Sequence, residues 1–168
     1  MPVVPGAVTE AAGAERRGLL PWVAAAVRVG LGALFLYAAV LKIADPMRFA
    51  EAVANYRLLP GALVPAAAAA LPGVELGVAA CLLAGLWGRA AALVVAALMA
   101  VFTAATVQAL ARGIDLRCGC FGASSDPVTL WTVARDVALV GAAAFVTWAD
   151  RGTAGLDRWI GRFTSRRN

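Results

Sequence analysis

Residues 64–111 read VPAAAAALPGVELGVAACLLAGLWGRAAALVVAALMAVFTAATVQALA, and this stretch decides the fold. Only Glu75 and Arg89 carry charge within it. Its apolar residues run in continuous blocks, which reads as helix and not as the two-residue alternation of a membrane barrel. Gly88-Arg89 divides it into halves. Each half is near the ~20 residues needed to cross about 30 Å of hydrocarbon at about 1.5 Å per residue. The pattern predicts two antiparallel spans, over 64–87 and 89–111, joined by a tight turn.

Two more apolar runs of this kind flank the first pair, at 22–43 and 128–149. The twin arginine Arg16-Arg17 ahead of the first resembles a signal peptide. However, the run that follows is long enough to span, whereas a signal core is roughly 7–15 residues. It therefore reads as a retained first span. Apolar residues make up 62% of the chain and charged residues 15%, against about 45–50% and about 25% in soluble domains. A small soluble domain leaves much of its surface wet and cannot hide that much apolar area. Lipid removes the conflict. The expected fold is an all-α, polytopic four-transmembrane-helix bundle over residues 21–150. Residues 1–20 read as a disordered cytoplasmic tail, and residues 151–168 as a basic one.

The net charge of +5 is not a nucleic-acid footprint, because the basic residues sit at segment ends. Arg16, Arg17, Arg89, Arg151, Arg158, Arg162, Arg166 and Arg167 fall on the side of the termini. Lys42, Arg48, Arg57, Arg112 and Arg117 fall on the other. The positive-inside rule counts Lys and Arg and puts both termini in the cytoplasm. The expected location is a bacterial cytoplasmic (inner) membrane, crossed several times, with both long loops extracytoplasmic.

In the first of those loops, Asp45-Pro46 reads as a helix N-cap with proline at the first helical position. Met47, Ala50, Val53 and Ala54 recur at helical spacing, with Arg48, Glu51 and Asn55 between them. This predicts a short amphipathic helix at the interface between spans one and two. In the second loop, Gly113 suits the stop of span three and Asp126-Pro127 the start of span four. Between them lies the glycine-rich segment that holds Cys118-Gly119-Cys120.

Thiols outside the cytoplasm meet oxidising conditions, so a disulfide is the first reading of that pair. Gly119 lets the backbone bend enough to bring the two sulfurs together. The ring is small and closes almost no chain, so it adds little stability, and strained disulfides are the labile ones. Arg117 next to Cys118 favours the thiolate and marks Cys118 as the nucleophile. Reversible thiol–disulfide exchange therefore stands first. An inert disulfide shaping the loop and a metal site completed by other ligands remain beside it. With no histidine in the chain, His-ligated metal or haem and any Cys-His catalytic pair are excluded. No metal and no cofactor are expected. A quinone, Cys81 or another protein would have to carry any onward electron relay. Cys81 itself, deep in span two, reads as a small hydrophobe.

Ionisable residues inside the spans form the second candidate site. Glu75 follows Leu71-Pro72-Gly73 near the middle of span two, and Arg135 with Asp136 lies in span four. A charge at this depth costs at least about 2.5–3.5 kcal/mol, so such groups should pair and face inward. By helical rise, Glu75 is roughly 15 Å and Arg135 roughly 10 Å below the outer surface, close enough in depth for the two to meet. They read either as an interhelical clamp or as a polar pocket for a proton, a quinone-like ligand or a partner segment. Lys42 and Tyr56 join Glu75, Arg135 and Asp136 in this polar intramembrane set, with an anchor snorkelling to the outer interface as the other reading of Lys42; Arg28 lies near the cytoplasmic end. Tyr56, with Leu58-Leu59-Pro60, returns the chain to the membrane.

Taken in order, Leu41-Lys42-Ile43, Asp45-Pro46, Asn55-Tyr56-Arg57-Leu58-Leu59-Pro60 and Leu71-Pro72-Gly73-Val74-Glu75-Leu76 resemble the methylamine utilisation protein MauE family, within the DoxX-like membrane proteins. Phe102, Arg112-Gly113, Cys118-Gly119-Cys120-Phe121-Gly122 and Arg135 belong to the same pattern, which covers residues 22 to 149. Asp136 stands where an asparagine-like residue would fit that pattern. The resemblance implies a redox-associated inner-membrane protein that helps a secreted, disulfide-rich protein such as methylamine dehydrogenase to mature. It also implies a periplasmic thioredoxin-like partner. A non-catalytic membrane scaffold is the alternative. A small transporter is the weaker one, since four spans without evident inverted repeats are a poor transporter template.

Overall fold

The computed structural model describes residues 6–113 and 129–149, with side chains from residue 19 onward. Among the described residues, every regular element is helical: α1 (Gly6–Ala44), α2 (Pro46–Asn55), a 3-10 turn (Gly61–Leu63), α3 (Val64–Ala84), α4 (Gly88–Ala111) and α5 (Leu130–Ala149). Four stretches are long and apolar enough to cross a membrane: Leu19–Ala44, Gly61–Ala84, Gly88–Ala111 and Leu130–Ala149. The all-α four-span architecture expected from the sequence is the one observed, with a short helix between spans one and two.

Two boundaries differ most. The first helix begins at Gly6, inside the expected structureless tail. Residues 7–17 are rich in Ala, Glu and Arg, good helix formers, and the span ahead spares them the cost of nucleation. The second span ends at Ala84, short of the expected Trp87. Gly85 takes a left-handed φ of 68° there, and both its N–H and that of Leu86 donate to the Cys81 carbonyl. Glycine makes that turn without a Cβ penalty.

The helices close a ring in which α1 packs on α3 and α5, and α4 packs on α5 and α3. Alanine is common at these contacts: Ala79, Ala91, Ala92 and Ala143 are buried among Leu31, Phe35, Val78, Leu82, Val95, Met99 and Val146. Small side chains let membrane helices approach closely, which supplies the packing energy that lipid does not. Among the glycines tested by an added Cβ, the closest approach is at Gly32, where it would meet Leu83 Cγ at 2.9 Å and Leu82 Cβ at 3.2 Å. Hydroxyls within the spans satisfy themselves on their own helix. Thr103 donates to the Met99 carbonyl at 2.7 Å and Thr147 to the Ala143 carbonyl at 2.9 Å.

The outer surface is apolar, with Val29, Val40, Leu93, Val101 and Val137 exposed. Trp22, Trp87 and Trp148 are exposed at one end of the bundle and Trp131 at the other, as in the aromatic belts of membrane proteins. At the Trp22 end, Arg89 Nε donates to the Thr147 carbonyl at 3.0 Å, tying the start of α4 to the close of α5.

The opposite end carries α2. Its N-cap is the expected one: Asp45 accepts from the Arg48 backbone N–H at 3.2 Å, and Pro46 opens the helix. The inward face is not the expected one. Phe49 is the buried residue, while Met47 is exposed. Phe49, Ala50, Val53 and Tyr56 share the face turned to the bundle, and Ala54 lies off it. One large ring matched to a gap in the bundle outweighs a count of small apolar positions.

Candidate functional site

Below α2 the bundle is polar. Lys42 stands near the end of α1 and Glu75 midway along α3, and the contact between these helices brings them together. Lys42 Nζ donates to both carboxylate oxygens of Glu75, at 2.6 and 2.7 Å. Both side chains are buried, with 3% and 2% of their surface exposed. Of the two readings of Lys42, the polar intramembrane one fits its burial, and the snorkelling anchor does not. The rotation of α1 turns it inward, and a buried ammonium demands a counter-ion. The rings of Phe49 and Phe102 lie 5.3 and 5.8 Å from the same nitrogen, near enough for cation–π attraction.

The expected meeting of Glu75 with Arg135 is replaced by this pairing. On α5, Arg135 donates from Nε and Nη2 to Asp136 Oδ1, at 3.2 and 3.0 Å. Asp136 is 1% exposed. Its second oxygen, Oδ2, is buried without a hydrogen-bond partner. Both ion pairs line one cavity, together with Leu34, Phe35, Ala38, Met99, Phe102 and Leu139. Its water-accessible space is about 20 Å³, enough for one water. Arg28, also buried, belongs to α1 farther from this end.

Tyr56 closes the site from the α2 side. It is buried against Ala105 and Ala109 of α4, and its phenol hydrogen-bonds Thr106. The Thr106 hydroxyl also donates to the Phe102 carbonyl at 2.8 Å. Burial pushes the Tyr56 phenol above its ordinary value of 10.0. The fold thus favours the neutral phenol, a preference intact below pH 10.0 and lost as pH rises from there through the raised folded-state value. Thermal unfolding of the detergent-solubilised protein should lose stability above that pH more steeply than the Tyr56→Phe variant does. Parallel losses in the two proteins would contradict this.

Residues 20–149 match the family model of the methylamine utilisation protein MauE. The chain belongs to the MauE family. No curated protein and no solved structure matches it significantly. The match runs from the membrane part of α1 to the last residue of α5, so the cavity, α2 and the segment between α4 and α5 all lie within MauE sequence. Cys118, Cys120 and Arg117 lie outside the described residues. Cys81 packs half-buried against the core as a small hydrophobe, as expected. Among the described residues no group of acidic and cysteine side chains could hold a metal.

Four features of the site were not read from the sequence: the pairing of Lys42 with Glu75, and the roles of Phe49, Thr106 and Met99. Phe49 had a usable signal, being the one aromatic residue in a short amphipathic segment. For Thr106 and Met99, nothing in an apolar run tells the lining of a cavity from lipid-facing surface.

Proposed function

We propose that this MauE-family protein is the membrane component of an extracytoplasmic thiol–disulfide pathway that helps a secreted, disulfide-containing protein to mature, with a thioredoxin-like partner. The Cys118-Gly119-Cys120-Phe121-Gly122 sequence carries this reading. It lies between α4 and α5, helices whose neighbouring ends are at the α2 side of the bundle. The excess of arginine on the opposite side supports an extracytoplasmic placement of this end. The family's description, methylamine utilisation, supports a client within that metabolism.

The chemistry is thiol–disulfide exchange. The Cys118 thiolate, favoured by Arg117, attacks a disulfide of the partner or client. A Cys118–partner disulfide forms and one partner sulfur leaves as a thiolate. Cys120 then attacks Cys118 Sγ, releasing the reduced partner and leaving the Cys118–Cys120 disulfide. Run in reverse, the same two steps oxidise a dithiol client.

A Cys120→Ser variant, lacking the resolving thiol, should accumulate a mixed disulfide that survives non-reducing electrophoresis and names the partner by mass spectrometry. The Cys118→Ser/Cys120→Ser variant should trap nothing and fail to support maturation of the client. Full maturation with both cysteines replaced would instead assign the protein a scaffolding role.

A further inference from the structure

We propose that Asp136, whose Oδ2 is buried without a partner, and the cavity that this residue lines form a binding site inside the bundle for one neutral O–H donor, with a single water as the occupant. The first argument is the unmet acceptor. Arg135 holds Asp136 Oδ1 with two hydrogen bonds, at 3.2 and 3.0 Å, which fixes the carboxylate and leaves Oδ2 buried without a partner. A buried acceptor away from water carries a desolvation cost until a donor reaches it, and within a lipid-embedded bundle bulk water does not supply one.

The second argument is charge. The cavity wall carries Lys42 from α1, Glu75 from α3, and Arg135 and Asp136 from α5, while α4 contributes the apolar Met99 and Phe102. Among the described residues the two cations and two anions balance, and the Lys42–Glu75 pair is already closed at 2.6 and 2.7 Å. An added anion would face Asp136 and Glu75, and an added cation Lys42 and Arg135. A neutral donor meets neither repulsion. The third argument is size. The cavity's accessible space of about 20 Å³ admits one water, above the roughly 10–15 Å³ that a water requires. A hydroxyl on a larger ligand shares this chemistry but has only this small space to reach into.

Hydroxyl-radical footprinting of the full chain in lipid nanodiscs tests the site, because radicals formed from an internal water label the side chains next to it. Met99 and Phe102 should be labelled as heavily as solvent-exposed residues. After rapid mixing into H2(18)O, their early product should retain the light oxygen isotope of a slowly exchanging water. Phenol, a membrane-soluble hydroxyl donor, distinguishes the other source, and it should leave the labelling unchanged at concentrations that do not unfold the protein. Asp136→Asn keeps a polar group at the site and should retain most of the labelling. Asp136→Leu should reduce it several-fold. Absence of labelling at Met99 and Phe102 in the unmodified protein overturns the proposal, as does undiminished labelling in a folded Asp136→Leu variant. Protection by phenol would overturn water as the occupant.

Discussion

Glu75→Leu is expected to be the most damaging single substitution in the described bundle. It removes the one group that accepts hydrogen bonds from Lys42 Nζ at 2.6 and 2.7 Å, in a place where the ammonium is almost wholly enclosed. Breaking a buried pair from one side strands the other charge, at a cost of about 3–5 kcal/mol. The two flanking rings offset little of this, since exposed cation–π contacts contribute about 0.5–1 kcal/mol and desolvated ones ~2 kcal/mol. The variant should accumulate poorly in membranes and lose its thermal transition in detergent. Lys42→Met combined with Glu75→Leu should recover most of the loss, because an apolar pair of similar volume is often neutral or better. A double variant as unstable as Glu75→Leu alone would show that the charges do more than neutralise each other.

Gly32→Leu is expected to come second. At this position α1 and α3 touch so closely that even a Cβ would lie 2.9 Å from Leu83 Cγ and 3.2 Å from Leu82 Cβ. Gly32→Ala should cost about 1–3 kcal/mol, the usual range for overpacking, with Leu83 shifting to make room. A leucine cannot be absorbed by one rotamer and must part the helices. The same two helices carry Lys42 and Glu75, so the packing defect and the ion pair are coupled. The loss in Gly32→Leu should shrink when Lys42→Met and Glu75→Leu are already present, as a thermodynamic cycle on detergent-solubilised protein would measure. Strict additivity would mean that the contact at Gly32 and the ion pair sit on independently moving parts of the two helices.

The four spans were legible in the sequence because lipid imposes one requirement on every segment, a long apolar run with satisfied backbone, and runs can be read directly. The cap of α2 was legible for a similarly local reason, since Asp45 and Pro46 act within one turn. The partnering of charges was not. Lys42 lies near the end of an apolar run, where the cheap alternative is to reach outward. Only the rotation of α1 against α3 decides that it turns in, and rotation depends on contacts such as Gly32 with Leu83 that no single segment encodes. Depth alone made Glu75 and Arg135 candidates for each other. The arrangement of helices around the ring gave Glu75 to Lys42 and left Arg135 beside its chain neighbour Asp136.

The Lys42–Glu75 bridge also bears on how the protein is made. Its two ends are 33 residues apart in the chain and belong to two consecutive spans. Until the second span arrives, the first carries an uncompensated ammonium into the bilayer. The two helices therefore neutralise each other's charge when they enter the membrane together as one hairpin.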